Sequence, residues 1–200
     1  MAFETSLRGA DGTPASARQR IIDTAYDLFS RNGLRAVGVD RIIDESGVAR
    51  KTFYRHFPAK EDLILTFLDV RGQRWTHDWL EAEIDRLGQT PRERLLAIFD
   101  AFDEWFHRED FESCALIAAL FEVRDTRAPI HQAAVRQLED VRELVLGVLA
   151  SSGTRDPESL AYQVHILMMG AIVSATRQDL DAGLRAREIA ELLLDHHQLR

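Results

Sequence analysis

The sequence predicts an all-α protein in which a small N-terminal three-helix module precedes a larger helical bundle, about nine helices in total. Three observations carry that prediction. Apolar residues recur at steps of three and four through the long segments, which puts them on one stripe of a helix. No stretch alternates with period two over a useful length, so no strand is read, and no internal repeat is seen. Gly, Pro, Ser and Thr punctuate the apolar segments where helices begin and end. With 200 residues, 46% of them hydrophobic, the chain can bury a real core as one large domain or as a small and a medium one.

Residues 1–16, MAFETSLRGADGTPAS, lack the apolar centre of a signal peptide and read as a flexible arm. Over residues 18–30, Ile21, Ile22, Ala25, Leu28 and Phe29 share one stripe, and Asn32-Gly33 ends that helix. Residues 38–60, GVDRIIDESGVARKTFYRHFPAK, read as two short helices around the turn Ser46-Gly47-Val48. Ile42 and Ile43 give the first of these an apolar side, and Val48, Phe53 and Phe57 return to the same core. The polar side of the second helix is left with Arg50, Lys51, Thr52, Tyr54, Arg55 and His56, side chains suited to phosphates and to the acceptor-rich edge of guanine in a major groove. Arg50 and Arg55 serve equally well as solvated surface cations, and Tyr54 and His56 as packing residues with polar tips.

Pro58 closes that helix, and Lys60 opens a long one, through Leu63, Ile64, Phe67, Leu68 and Val70 toward Trp75, Trp79 and Ile84, with Gly72 as a place to bend. Thr90 and Pro91 are a cap and a first-turn residue for a helix holding Leu95, Leu96, Ile98, Phe99, Phe102, Trp105 and Phe106. A further apolar segment covers 111–123. Residues 129–149 and 157–176 are two long helices parted by Ser151-Ser152-Gly153, and a last helix covers 184–196. No apolar run approaches the roughly 18 residues that span a bilayer, so a cytoplasmic protein is expected.

The formal charge of −8 divides unevenly: residues 1–60 hold ten Lys/Arg against seven Asp/Glu, and the remainder fifteen against twenty-six. Only the N-terminal module suits a polyanion, and the acidic remainder confines any contact with DNA to one end. The expected division is an arm over 1–16, a helix-turn-helix DNA-binding domain over 17–60 and an effector-binding and dimerisation domain over 61–200.

The run Gly47-Val48, Thr52-Phe53-Tyr54, His56-Phe57 and Lys60, with the helix before it, resembles the DNA-binding domain of the tetracycline-repressor (TetR) family of bacterial regulators over about residues 17–68. Two positions depart from the family pattern. Gly38 stands where a Ser or Thr usually caps the helix and touches a phosphate, and bulky Ile43 stands where a small residue lets the two helices approach, so a small shift in their crossing is expected. The resemblance implies that Tyr54, His56 and Lys60 hold phosphates. Lys51 and Arg50, with Thr52 beside them, are the candidates for base readout. It also implies a homodimer formed through two long helices in a four-helix bundle, an operator with near-palindromic symmetry, and a small-molecule effector. By the family's habit the regulator is a repressor.

For the dimer, Val135, Leu138, Val141, Val145, Val148 and Leu149 offer a ridge, and Leu167, Gly170, Ala171, Ser174 and Ala175 a low stripe on which a partner helix could pack closely. Spacing alone assigns both stripes equally to the protomer's own core. For the effector, Trp75, Trp79, Phe99, Phe102, Trp105, Phe106, Phe111 and Phe121, joined by Met168 and Met169, form a candidate apolar lining. Each ring alone is more often core, but so many large side chains near one level of a small bundle are hard to pack without gaps. His165 and Glu122 are candidates to orient a ligand, although a lone His on an apolar helix is ordinarily a satisfied core residue. A small hydrophobic effector would act by shifting the long helix over 60–84 and with it the spacing of two recognition helices.

Other chemistry finds little support. The histidines have no paired zinc-site spacing, and no GxSxG, phosphate loop or Cys-x-x-Cys occurs, so neither an enzyme nor a metal or other cofactor is expected. The single cysteine, Cys114, cannot form an internal disulfide. Sensing oxidants through Cys114 would need an exposed thiolate of low pKa, and its neighbours Ala115, Leu116 and Ile117 point to burial. A helical protein-interaction adaptor would leave the basic helix without a purpose.

Overall fold

The computed structural model describes residues 15–109, 111 and 113–199, and every regular element among them is helical. In chain order these are α1 (Ala17–Asn32), α2 (Val39–Ser46), α3 (Arg50–His56), α4 (Lys60–Gly72), a π-helical segment (Gln73–Glu81), α5 (Ala82–Leu87), α6 (Pro91–Phe106), α7 (Ala115–Glu122), α8 (Pro129–Leu149), α9 (Pro157–Thr176) and α10 (Ala182–His196). Because α4, the π segment and α5 follow one another without a break, the described residues make nine helical rods. The expected flexible arm lies almost wholly outside the described residues; its last residue, Ser16, caps α1 by accepting the Gln19 N–H at 3.2 Å.

The chain forms two compact units, one from the described residues of Met1–Arg71 with Ala115–Arg136, the other from Gly72–Cys114 with Gln137–Arg200. In the first, the α1 stripe of Ile21, Ile22, Ala25, Leu28 and Phe29 is buried as its spacing requires. Phe67 of α4 meets Tyr26 and Phe29 edge-on, with ring centroids 5.7 and 5.4 Å apart. Arg71, buried at the end of α4, donates to the Tyr26 hydroxyl at 3.0 Å, which ties the C-terminal end of α4 to α1. Helix α7 belongs to this unit although the chain reaches it only after crossing the other.

The second unit is built around α6. Thr90 accepts the Glu93 N–H while the Glu93 carboxylate accepts the Thr90 N–H, a capping box with Pro91 in the first turn. The N–H groups of Thr90 and Gln89, both donated to that carboxylate, hold the Glu93 carboxyl below its ordinary pKa. Leu95, Ile98, Phe99 and Phe102 are fully buried, and α6 packs against α5 and α10, with α10 packed in turn on α9. Arg142 of α8, only 9% exposed, is neutralised by Glu139 at 2.7 Å, Glu143, and Glu158 of α9 at 3.1 Å, and its guanidinium lies 4.6 Å from the Tyr162 ring centroid.

At Gly72 the backbone is helical (φ −58°, ψ −49°), and the winding changes to π over the following nine residues. Within the apolar segment 111–123 the helix covers Ala115–Glu122, and Ser113 ahead of it adopts φ 75°. One helix, α9, is long and apolar enough to cross a bilayer, contrary to the reading that no segment is; 44% of its apolar window is buried inside the protein.

Candidate functional site

Helix α2 begins at Gly38, whose extended backbone starts the helix with no side-chain cap, so the missing hydroxyl read from the sequence is a missing hydrogen bond in the structure. Ile42 and Ile43 are buried, and Gly47 ends the helix in the left-handed region (φ 62°), where a Cβ would find open space but a strained backbone. Arg20 of α1 donates to the Ser46 carbonyl at 3.3 Å, anchoring the end of α2 to the supporting helix. Val48, Phe53 and Phe57 then turn α3 so that its foot is buried, at 8%, 0% and 2% exposure.

The opposite side of α3 faces outward. Arg50, Lys51, Tyr54 and Arg55 are exposed, and Thr52 and His56 are half-buried. Arg50 is already paired, to Asp40 of α2 at 2.5 Å, a contact that raises its pKa. Lys51 and Arg55 make no ion pair among the described residues. Lys60 stands apart from this face. Half-buried at the start of α4, its ammonium donates to the Leu34 carbonyl at 2.6 Å and lies 5.8 Å from the Phe29 ring centroid. Burial lowers its pKa, against the opposing pull of the Glu122 carboxylate.

Glu122, read from the sequence as a ligand-orienting group, is instead bound to the α1–α2 loop: its two oxygens accept the N–H of Leu34 at 3.1 Å and of Arg35 at 2.8 Å. Arg20, Asp40 and Glu122 were not assigned these roles from the sequence. Each acts on a partner 10 to 88 residues away, and local spacing carries no signal of such a pairing.

In the second unit the expected aromatic set is one connected layer. Trp75, Trp79 and Trp105 stand in mutual contact at 5.5, 5.6 and 5.6 Å between ring centroids. Phe102, Phe106 and Phe111 extend the layer, and Phe99 joins it through Phe102 at 6.2 Å. Phe121 is not part of it: it lies on α7, in the other unit, and is 73% exposed. On α9, His165 and Met168 are buried and Met169 half-buried. Burial lowers the His165 pKa, with Glu139 opposing and Arg142 assisting. The buried Trp75 Nε1, Thr76 Oγ1 and His165 Nε2 have no hydrogen-bond partner among the described residues. A separate cleft of about 500 Å³, not foreseen from the sequence, is lined by His77 and Glu81 of the π segment, Arg94 of α6 and Asp140, Glu143, Leu144, Gly147 and Val148 of α8.

The expected dimer stripes divide. Val141, Val145, Val148, Leu149, Ala171 and Ala175 are buried within the protomer, Leu138, Leu167 and Ser174 are half-buried, and Val135 and Gly170 are exposed, so most of the α8 stripe but only Ala171 and Ala175 of the α9 stripe lie in the protomer's own core. Exposed apolar residues are Tyr162, Ile166 and Val173 of α9, on the same face as Gly170, and Leu184, Ile189 and Leu192 of α10. Cys114 is buried, which removes the exposed thiolate an oxidant sensor requires.

Comparison with known proteins bears on both halves of the chain. Residues 21–66 match the family described as bacterial regulatory proteins, tetR family, and residues 91–190 match the tetracyclin repressor-like C-terminal domain. The transcriptional repressor KstR2 of Mycolicibacterium smegmatis is 28% identical over 181 residues, covering 89% of this chain and 76% of its own. The regulator QacR of Staphylococcus aureus is 30% identical over 67 residues, 34% of this chain and 36% of its own. A crystal structure of a TetR-family regulator from Streptomyces coelicolor superposes with a TM-score of 0.82 at 26% identity, covering 98% of this chain and 96% of the other.

Proposed function

Because the chain belongs to the tetracycline-repressor family of DNA-binding transcriptional regulators, we propose that it represses by occupying a near-palindromic operator as a homodimer and is released by a small apolar effector. The observation that carries the DNA half is the division of α3: Phe53 buried at its foot, Lys51 and Arg55 exposed on its outer face with no ion pair among the described residues. Lys51 is assigned to base readout with Thr52 beside it. Arg50 joins only by exchanging Asp40 for DNA, whereas Arg55, Tyr54 and His56 border the groove as phosphate contacts. Lys60 reaches a phosphate with the ammonium protons not given to Leu34.

Tyr162, Ile166 and Val173 of α9, with Leu184, Ile189 and Leu192 of α10, support dimerisation through these two mutually packed helices. A two-fold dimer sets two copies of α3 in major grooves about one helical turn apart, roughly 34 Å. The aromatic layer supports a flat apolar effector, which the Trp75 indole N–H could orient by donating to an acceptor on it. Such a regulator acts in the cytoplasm, where the operator is.

The test is binding to the DNA flanking the protein's own gene against shuffled DNA of equal length, at two salt concentrations, with Lys51→Ala in parallel. Sequence-dependent binding that Lys51→Ala weakens by about ten- to a hundredfold is expected. Equal, salt-sensitive binding to both DNAs would overturn operator recognition and leave only a polyanion-binding surface.

A further inference from the structure

The α1–α2 loop is held from two sides. After Gly33, whose φ of 79° and ψ of 169° suit glycine alone, the N–H groups of Leu34 and Arg35 point together at the two oxygens of Glu122, at 3.1 and 2.8 Å. The carbonyl of the same Leu34 accepts from Lys60 at 2.6 Å, and the Leu34 side chain is buried. One peptide segment is therefore gripped through its N–H groups by the last residue of α7 and through its carbonyl by the first residue of α4. The fit is close: a Cβ on Gly33 would lie 2.7 Å from Glu122 Oε1. This loop leads into Gly38, where α2 starts with no side-chain cap of its own.

We propose that Glu122 is a positioning residue for operator recognition, holding the α1–α2 turn so that α2, and α3 through the Ile42, Ile43 and Phe53 core, enter the groove at a fixed angle. The inference rests on the operator-binding reading above. Glu122 lies 88 residues from the N–H it accepts, outside the helix-turn-helix segment, and as an anion it contributes no phosphate contact. An uncapped helix entrance depends on its preceding loop for placement. A carboxylate suits this because it accepts one N–H on each of its two oxygens, which an amide cannot: Glu122→Gln would keep one acceptor atom and turn an NH2 toward the other N–H.

The experiment is an operator titration of full-length protein by fluorescence anisotropy, reading Kd, the active fraction from stoichiometric titration, and the salt slope. The proteins are wild type, Glu122→Gln, Gly33→Ala and the double variant. Glu122→Gln is expected to weaken Kd about tenfold with a full active fraction and an unchanged salt slope, since no phosphate contact is lost. Gly33→Ala displaces the same carboxylate, so the double variant should be no weaker than the worse single one. Wild-type Kd in Glu122→Gln would overturn the proposal. So would a loss confined to the active fraction, which would make Glu122 a matter of stability alone. Failure of the wild-type protein to distinguish operator from shuffled DNA would instead defeat the operator reading on which this rests.

Discussion

Ile166→Ala tests the dimer face. Ile166 is 67% exposed on α9, and full burial of such a side chain stabilises by roughly 1.5–3 kcal/mol. Covering the exposed two-thirds is worth about 1–2 kcal/mol, and two-fold symmetry counts each residue twice. Allowing for the Cβ that alanine retains, the substitution should cost the dimer about 2–3 kcal/mol, a weakening of roughly 30- to 150-fold in Kd. Sedimentation equilibrium over a range of protein concentrations measures this directly. Ile166→Glu should go further and give monomers, because a carboxylate must then be desolvated on each side of the two-fold. Val145→Ala is the counterpart: Val145 is fully buried inside the protomer, so it should lower Tm without changing the dimer Kd below that Tm. A wild-type Kd for Ile166→Glu, with a weakened dimer for Val145→Ala, would refute the reasoning and return the interface to α8.

Phe53→Ala empties the fully buried foot of α3 and should cost about 3–5 kcal/mol in the N-terminal unit, with operator binding lost at temperatures where the rest of the protein stays helical by circular dichroism. His165 has its pKa lowered in the folded protein, so the unfolded chain binds the extra proton as pH falls; stability is whole above the ordinary histidine value of about 6.5 and declines below it, through the lowered folded value. Thermal melts at stepped pH should show that decline, and His165→Gln should remove His165's share of it; an unchanged slope in the variant would assign the decline to other groups. All three tryptophans of the chain sit in one cluster, so an effector entering the aromatic layer should change their emission, and Trp75→Phe should alter the response. An effector that releases operator while leaving the emission unchanged would have its site elsewhere, with the cleft at His77 and Arg94 the next place to test.

What could be read from the sequence were the features that depend on neighbours along the chain. The α1 stripe, the Gly47 turn, the Thr90-Pro91 start and the buried foot of α3 are all set by residues within one or two turns of each other, where periodicity and cap chemistry act. Spacing located the stripes on α8 and α9 as well, yet could not say what covers them. A helix with apolar residues on more than one face has to divide them between its own core and a partner, and the division is fixed by which helix lies alongside. On α9, Ala171 and Ala175 went inward while Ile166 and Val173 stayed out. Tertiary placement likewise decided Phe121 and Glu122, adjacent residues at the end of α7. The turn that exposes the Phe121 ring brings the next carboxylate onto two backbone N–H groups in the loop after α1. A ring read as pocket lining and an acid read as a ligand contact thus both belong to the DNA-binding unit. The chain enters that unit twice, and the second entry, α7, carries a carboxylate that reaches the loop ahead of the helix-turn-helix.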